Sequence, residues 1–243
     1  MPTALVTGAG TGIGRAVAER FLSEGFEVVA VGRRPDLLRE LEKAHPGKVR
    51  AVQCDIAEAD DVRKLGAFLK SDSSFGANLS VIVNNAGKFE RRSFAETNDL
   101  EWSSTFETNL FGAVRVTREL LPLVIKNRGV IINVSATLGL KPVAATSVYS
   151  ASKAAMINWT QSMALELGAQ AVRVNCVCPG IVDTPIHSFH GKPEEQLKLA
   201  SLQPLGRIGR PSDVAHAVWS LAGPGSEWIT GSVLSVDGGI GLV

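Results

Sequence analysis

One tyrosine and one lysine stand four residues apart in this chain and could move a proton together. Tyr149 is the only tyrosine of the sequence, and Lys153 follows it within the stretch Tyr-Ser-Ala-Ser-Lys. On a helix, residues at i and i+4 lie on one face, so the phenol and the ammonium group would be neighbours. A nearby positive charge favours the phenolate and lowers the pKa of a tyrosine, which suits it to general acid and base catalysis. Without further motifs, a surface tyrosine and a surface lysine would be the simpler interpretation.

A glycine-rich turn near the N-terminus could bind a phosphate group. An apolar run leads into Thr7-Gly8-Ala9-Gly10-Thr11-Gly12-Ile13-Gly14, and a helix-like stretch follows. Glycine allows positive φ and a close approach of the backbone to a ligand. The N-terminus of the following helix offers free N–H groups and a positive dipole end to a pyrophosphate. Strand, glycine turn and helix come in the order that predicts a dinucleotide site, although Ile13 takes the last glycine position of the G-x-G-x-x-G pattern.

The end of the second predicted strand bears on the choice of cofactor. In dinucleotide folds, an acidic residue about 20 residues after the glycine turn binds the ribose 2′-hydroxyl of NAD. Here the strand ends in Val31-Gly32-Arg33-Arg34, and the first acid, Asp36, comes after Pro35. Arginine pairs well with a 2′-phosphate, so NADP(H) is expected in preference to NAD. In the alternative interpretation, Arg33 stacks on adenine and Arg34 is a solvated surface charge.

Strand-like and helix-like segments alternate along the chain and would position these groups. Strands are expected at about 4–6, 26–31, 49–54, 79–83, 130–134, 172–177 and 232–236, and helices at about 15–24, 35–44, 60–69, 102–127 and 148–167. Pro122 is expected to kink or end the fourth helix. Because the strands are almost continuously apolar, they predict a parallel sheet covered by helices on both faces.

No linker, repeat or low-complexity segment divides the chain, so a single domain over residues 1–243 is expected. The least regular region, residues 183–210, carries three prolines and three glycines. Long irregular segments of compact domains often cover binding sites, so we expect a substrate lid here. An ordered surface connection is the alternative.

Composition and charge argue against several classes of protein. The formal net charge of the 243 residues is +1, which indicates neither a nucleic-acid partner nor a membrane surface. No apolar run is long enough for a membrane-spanning helix, and the N-terminus is typical of a first strand. The three cysteines, Cys54, Cys176 and Cys178, fit a reducing compartment and are expected to be buried thiols, because Cys176-x-Cys178 has no second pair to complete a metal site. A cytoplasmic protein without a metal is therefore expected.

Further motifs make the chain resemble the classical short-chain dehydrogenase/reductase family over essentially its whole length. The bacterial type that includes the 3-oxoacyl-acyl-carrier-protein reductases and many ketone reductases is the most similar. The matching motifs, in the order and spacing of the family, are Thr7-Gly8-x-x-x-Gly12-Ile13-Gly14, Asp55-Ile56, Asn84-Asn85-Ala86-Gly87, Asn109, Tyr149-x-x-x-Lys153, Pro179-Gly180-Ile181-Val182-x-Thr184 and Val236-Asp237-Gly238-Gly239. The resemblance implies a single-domain Rossmann fold of the α/β class, with a doubly wound seven-stranded parallel sheet and helices on both faces. It also implies a homotetramer, with residues 236–243 near an interface.

The resemblance implies a role for each matching residue. Tyr149 would be the general acid in carbonyl reduction and the base in alcohol oxidation, and Lys153 would lower its pKa and hold the nicotinamide ribose. Asn109 would bind a water that continues a proton relay. The implied cofactor contacts are Gly8, Gly10, Thr11, Gly12, Ile13, Gly14, Arg33, Arg34, Asp55, Ile56, Asn85, Ala86, Gly87, Tyr149, Lys153, Pro179, Gly180, Ile181 and Thr184. Asn85 could alternatively be a turn residue at a strand end, and Asp55 a helix cap.

The stretch Asn133-Val-Ser-Ala-Thr-Leu-Gly139 departs from the family at one position. Members of the family usually carry a catalytic serine thirteen residues before the tyrosine, in Ser-x-x-Gly, and that position holds Ala136. Because successive side chains of a strand point to opposite faces, Ser135 and Thr137 would point away from the expected hydroxyl position. A bulge or turn could redirect one of them. Ser135 is therefore kept as a candidate catalytic residue, with Thr137 and Ser147 as alternatives.

Three functions remain open on these grounds. The first is an NADP(H)-dependent oxidoreductase that acts on a small carbonyl or alcohol, with a partly apolar pocket suggested by Ile186, His187 and Phe189. His187 could alternatively be a surface loop residue, as could His190. The second function is a diaphorase-like quinone reductase, motivated by Ala136. The third is a cofactor-binding protein with little catalysis. The presence of Asn109, Tyr149 and Lys153 argues against it, because such a protein does not need all three residues.

Overall fold

The computed structural model describes residues 1–243, and a seven-stranded sheet lies at its centre. The strands are β1 (Thr3–Thr7), β2 (Glu27–Gly32), β3 (Val49–Gln53), β4 (Leu79–Asn84), β5 (Val130–Val134), β6 (Arg173–Pro179) and β7 (Val233–Val236). Their order is β3-β2-β1-β4-β5-β6-β7, and all neighbouring strands are parallel. The order changes direction between β1 and β4, and doubly wound sheets bind ligands at such a point. The predicted doubly wound α/β fold is confirmed.

Helices cover both faces of the sheet. They are α1 (Gly12–Ser23), α2 (Pro35–Ala44), α3 (Ala59–Ser71), α4 (Asp99–Phe106), α5 (Gly112–Lys126), α6 (Ser147–Leu167), α7 (Pro193–Ala200) and α8 (Pro211–Ala222). Strand side chains alternate between two apolar clusters. Val28 and Ala30 lie in the cluster with side chains of α1, α2 and α8, whereas Val29 and Val31 lie in the cluster with side chains of α3, α5 and α6. The near-continuous apolar strands therefore follow from burial on both faces.

The long helical region predicted at 102–127 consists of three consecutive segments. A π-helical turn, Glu107–Phe111, joins α4 to α5 without a break. Pro122 does not end the helix, which continues to Lys126. Pro122 and Arg118, whose carbonyl group would have bonded to the missing N–H, are both exposed. Water can therefore satisfy that carbonyl, and the cost of the proline is reduced.

The 183–210 segment is more regular than the sequence suggests, because it contains α7. Pro193 stands in the first turn of this helix and two glutamates follow it, a combination that favours a helix N-terminus. The two ends of the segment are joined by a single parallel bridge between Val182 and Gly209. The N–H of Asp183 donates to the carbonyl of Gly209 at 2.9 Å, and the N–H of Gly209 donates to Ile181 at 2.8 Å. The segment is thus a closed loop with a fixed base.

No helix of the protein is long and apolar enough to span a membrane.

Candidate active site

The glycine turn lies between the ends of β1 and β4 and is shaped by close backbone contacts. Gly12, which opens α1, has a φ of 55°, a conformation that favours glycine. A Cβ on Gly14 would lie 2.3 Å from the carbonyl oxygen of Gly8, so no side chain fits there. Thr11 precedes α1 in an extended conformation, and its hydroxyl makes no capping bond to the helix. The first N–H groups of α1 therefore have no side-chain cap, as a phosphate site requires.

Thr7 joins the turn to the end of β4, although it lies outside the predicted set of site residues. Its Oγ1 accepts hydrogen bonds from the N–H groups of Asn85 and Ala86, both at 3.0 Å. The side-chain amide of Asn85 donates to the carbonyl of Thr7 at 2.9 Å. The position of Thr7 at the start of the glycine motif was the one feature of the sequence that could have indicated this role. Asn85 thus stabilises the strand ends, which agrees with the turn role that the sequence left open for it.

Two predicted segments close around this turn. A Cβ on Gly12 would lie 3.1 Å from Cγ2 of the buried Thr184, so the start of the 183–210 segment lies against the glycine turn. A Cβ on Gly87 would lie 3.3 Å from Oδ1 of Asn109 and 3.6 Å from Nζ of Lys153. The fold therefore brings the turn at the end of β4 together with the proposed proton-transfer residues.

The remaining predicted cofactor residues lie on the other side of the turn and at the end of β6. A Cβ on Gly10 would lie 3.3 Å from Leu37, at the start of α2. Ile13 packs against the apolar cluster of α1, α2 and α8. Pro179 ends β6, and the N–H of Gly180 donates to Val236 of β7 at 3.1 Å. Ile181 is partly exposed beside it.

Two arginines stand at the end of β2, beside the turn. Arg34 donates from its guanidinium to Oγ1 of Thr11 at 3.0 Å. Arg33 is 70 % exposed at its side chain, and its nearest acid is Asp55, with 3.9 Å between Nη1 and Oδ2. Both arginines are exposed, so their guanidinium groups can meet an anionic group next to the glycine turn.

Asp55 and Ile56 have structural contacts at the end of β3. Oδ1 of Asp55 accepts from the N–H of Ala57 at 3.0 Å, so its carboxylate shapes the turn that precedes α3. Ile56 is 4 % exposed and packs in the apolar cluster of α3, α5 and α6. The Ile56 side chain is therefore occupied by the core.

Tyr149 and Lys153 lie in the first two turns of α6. The lysine is 4 % exposed, and its Nζ donates to the carbonyl of Val134 at 2.9 Å. The same Nζ lies 5.8 Å from the centre of the Tyr149 ring. Burial lowers the pKa of Lys153 to about 8.

The pKa of Tyr149 is not lowered, as the sequence suggested, but raised. Its burial is the main cause, and the neighbouring Cys178 contributes. Removal from water disfavours the phenolate, and the ammonium group lies beside the ring with its hydrogen bond directed to Val134. The phenol of Tyr149 is therefore neutral at neutral pH.

Asn109 lies in the π-helical turn and is fully buried. Its Oδ1 accepts from the N–H of Lys88 at 2.8 Å, and its Nδ2 donates to the Lys88 carbonyl at 3.1 Å. The same Nδ2 donates to Oγ of Ser152 on α6 at 3.1 Å. The side chain thus joins the loop after β4 to the helix of Tyr149. Single π turns inside α-helices are frequent at functional sites.

The three hydroxyl candidates near residue 136 are placed differently. Ser135, 3 % exposed, donates to the carbonyl of Lys153 at 2.7 Å. Thr137 donates toward the carbonyl of Cys178 at 3.3 Å and toward Asp237 at 3.4 Å. Oγ of Ser147 is buried and has no hydrogen-bond partner. Ala136 is extended, with φ −162° and ψ 155°. Strand-like alternation thus persists here, and Ser135 is directed at the backbone of α6, which does not support its expected contact with a substrate.

An aromatic cluster lies against Tyr149. The rings of Phe89 and Tyr149 meet edge to face with centres 4.8 Å apart, and Phe89 meets His187 at 5.3 Å. His187 in turn stacks on Phe189 at 4.7 Å. His187 is therefore packed against its neighbours, whereas His190 is exposed and bonds to Asp183 at 2.6 Å. Phe89 was not singled out from the sequence, where only its position after the Asn-Asn-Ala-Gly motif could have indicated it.

Known proteins resemble this chain over its full length. The family model described as enoyl-(acyl carrier protein) reductase matches residues 8–241. The 3-oxoacyl-[acyl-carrier-protein] reductase of Thermotoga maritima is 34% identical over 240 residues, which cover 97% of this chain and 96% of that protein. A tropinone reductase homolog of Arabidopsis thaliana is 35% identical, over 98% of this chain and 91% of that protein.

A solved structure agrees in fold as well as in sequence. The 3-ketoacyl-(acyl-carrier-protein) reductase of Brucella melitensis, complexed with NADH, superposes with a TM-score of 0.90 and 31% identity, over 99% of this chain and 98% of that one. The two proteins therefore share the whole domain, including the switch point between β1 and β4. The chain belongs to the classical short-chain dehydrogenase/reductase family of nicotinamide-dependent oxidoreductases, in the group similar to the 3-oxoacyl-acyl-carrier-protein reductases.

Proposed function

We propose that the protein is an NADP(H)-preferring oxidoreductase that transfers a hydride between the nicotinamide and a small carbonyl or alcohol, with Tyr149 as general acid and base. The observation that carries the proposal is the meeting of Tyr149, Lys153 and Asn109 with the glycine turn at one edge of the sheet. Gly87, in the turn after β4, connects the glycine turn to the proposed proton-transfer residues, because it lies against both Asn109 and Lys153.

The residues at the switch point fit a dinucleotide. The space above Gly14 is too narrow for any side chain, and the first N–H groups of α1 face the turn without a side-chain cap. Arg33 and Arg34 would hold a 2′-phosphate beside Thr11, by charge-assisted hydrogen bonds. We propose that the glycines of the turn surround the cofactor, which would supply the hydride. Other neighbours of the cofactor would be Asn85, Ala86, Gly87, Gly180, Ile181 and Thr184.

In the reduction, the bound nicotinamide would supply the hydride to the carbonyl carbon, and Tyr149 would donate a proton to the carbonyl oxygen. The raised pKa of Tyr149 keeps the phenol protonated before the reaction. The phenolate that remains is stabilised by the neighbouring charge of Lys153, and Asn109 holds the loop and α6 in register.

Ala136 favours a second candidate function, the reduction of quinones or activated dicarbonyls. The hydroxyls of Ser135 and Thr137 are bonded to backbone carbonyl groups, so Tyr149 is the proposed donor to the substrate oxygen. Loss of one donor of the oxyanion type costs roughly 10²–10³ in turnover. Substrates that need less polarisation lose less. The third possibility, a cofactor-binding protein without turnover, is disfavoured by the assembled Tyr149, Lys153 and Asn109.

We further propose a cytoplasmic homotetramer. Support comes from the exposed apolar ends of the chain and of β7: Trp228 is 100% exposed, Leu242 89% and Val243 69%. Leu242 and Val243 are adjacent in the chain, and exposed apolar patches are typical of interaction surfaces. The mass measured by light scattering would test the assembly.

The decisive experiment is consumption of NADPH and NADH by the purified protein against ketones, 3-oxoacyl thioesters, dicarbonyls and quinones. The Tyr149→Phe variant serves as the blank, since it removes only the hydroxyl. Ketone reduction that depends on Tyr149 supports the first function. Quinone reduction that survives Tyr149→Phe supports the second. Absence of turnover with every substrate, despite binding of NADPH, would contradict both.

A further inference from the structure

The aromatic cluster around Tyr149 has no part in the proton transfer described above. Phe89 comes from the loop after β4, whereas His187 and Phe189 come from the 183–210 segment. The two loops meet at Phe89, which contacts both Tyr149 and His187. We call Phe89, His187 and Phe189 the aromatic wall.

The wall is partly open to solvent and is not core packing. All three side chains are intermediate in exposure, and none belongs to either apolar cluster of the sheet. The ring nitrogens of His187 make no hydrogen bond within the protein. Burial lowers the pKa of this histidine, so the ring is neutral at neutral pH and presents an apolar face.

The base of the wall is held in place. The N–H of His187 donates to the carbonyl of Thr184 at 3.1 Å, and the carbonyl of Phe189 accepts from Lys192 at 3.0 Å. The bridge between Val182 and Gly209 closes the segment below. The rings are therefore supported by a turn that is tied to the sheet edge.

We propose that the aromatic wall selects planar, conjugated carbonyl substrates, such as aryl ketones, over flexible saturated ones. This inference rests on the proposed function. A substrate whose oxygen reaches the hydroxyl of Tyr149 would place its substituent near Phe89, which packs against Tyr149, and near the two rings that continue from Phe89. Aromatic rings pair favourably with other rings in edge-to-face or offset geometry, beyond the area that they bury. A flat aromatic substituent can pair with the wall in these geometries, whereas a saturated ring offers no π face.

Two ketones of the same carbon skeleton test the inference, acetophenone and cyclohexyl methyl ketone. For each protein variant, we compare the kcat/KM values of the two ketones with NADPH as a ratio. The two ketones differ in intrinsic reactivity, but this difference is the same for every variant. A change in the ratio between variants therefore reports the effect of the substituted side chain. Phe89→Leu and His187→Leu each keep an apolar side chain but remove a π face. Phe94→Leu, at a side chain that is 71% exposed and outside the wall, is the matched control.

We expect Phe89→Leu to lower kcat/KM for acetophenone about fivefold and that for cyclohexyl methyl ketone less than about twofold, since a ring pair contributes on the order of 1 kcal/mol beyond its buried area. His187→Leu should act in the same direction, and Phe94→Leu should leave the ratio unchanged. An equal loss for both ketones, or no loss for either, would overturn the inference. If Phe89→Leu does not fold, as judged by circular dichroism, His187→Leu and Phe189→Leu give the same comparison.

The outcome also separates this inference from the proposed function. Reduction of cyclohexyl methyl ketone that depends on Tyr149, with a ratio insensitive to the wall, overturns the wall and leaves the function standing. If neither ketone is reduced, the proposed ketone chemistry fails, and the wall is tested by calorimetric binding of 1-phenylethanol and 1-cyclohexylethanol to the protein with NADP⁺. Tighter binding of the aryl alcohol that is lost in Phe89→Leu supports the wall, and equal binding overturns it.

Discussion

Restoring a hydroxyl at residue 136 should raise ketone reduction more than quinone reduction. The backbone there is extended, with φ −162° and ψ 155°, so serine can replace Ala136 without strain. The position is distinct from its neighbours, because Ser135 and Thr137 direct their hydroxyls to the backbone of Lys153 and Cys178. Only the new serine would therefore add a second donor beside Tyr149.

The gain in ketone turnover has an upper bound, and the substitution also has a cost in stability. Removing one donor of this kind costs roughly 10²–10³ in turnover, which is the ceiling for the gain. Ala136 is 7% exposed, and a buried hydroxyl without a partner costs about 1–3 kcal/mol of stability. We therefore expect a gain of about tenfold or more in kcat for a saturated ketone, together with a lower Tm in the absence of substrate.

The assay is NADPH oxidation by wild type and Ala136→Ser with one saturated ketone and one quinone. Quinone turnover should change by less than about threefold, because its oxygen needs less polarisation. The double variant Ala136→Ser, Tyr149→Phe is the control, and it should show no gain with the ketone. Equal gains for ketone and quinone, or no gain for either, would refute the argument that Ala136 limits the chemistry.

Three further predictions concern the support of the site. Ser135→Ala should lower the free energy of unfolding by about 1 kcal/mol, because the carbonyl of Lys153 loses its bond at 2.7 Å; denaturant titration measures it, and a larger effect on kcat than on stability would instead favour contact with substrate. Arg33→Ala should reduce the preference for NADPH over NADH, as measured by the ratio of kcat/KM values, and an unchanged ratio would assign the 2′-phosphate to Arg34 or to neither. Burial lowers the pKa of Lys153 to about 8 from an ordinary value of 10.5. Between these two pH values the lysine is protonated in the unfolded chain and neutral in the folded chain. The free energy of unfolding should therefore rise with pH over this range. That contribution is complete above pH 10.5 and lost as pH falls through 8; Lys153→Met should flatten this part of the Tm-against-pH curve, and a curve identical to that of wild type would contradict the shift.

Local patterns determined most of the fold. The period of apolar residues and the flanking glycines and prolines identified all seven strands, with ends that differ by a few residues at most. They also placed the glycine turn before α1, since its function depends on consecutive residues. Pro122 was predicted to kink or end the helix, and it does not end it, because a proline on an exposed helix face leaves only a solvated carbonyl without its partner. Helices α7 and α8 were both missed, although each begins with a proline, which marks a helix start as well as a loop.

The contacts around Tyr149 depended on tertiary structure. The spacing of four residues on a helix predicted that Tyr149 and Lys153 are neighbours. It could not predict that burial raises the pKa of Tyr149 and lowers that of Lys153. Which way Ser135 points depended on the packing of β5 against α6. The meeting of Phe89 with His187, 98 residues apart in the sequence, required two loops to close over one sheet edge. Desolvation and contact between distant loops are properties of the folded chain, so no local pattern of residues could have shown them.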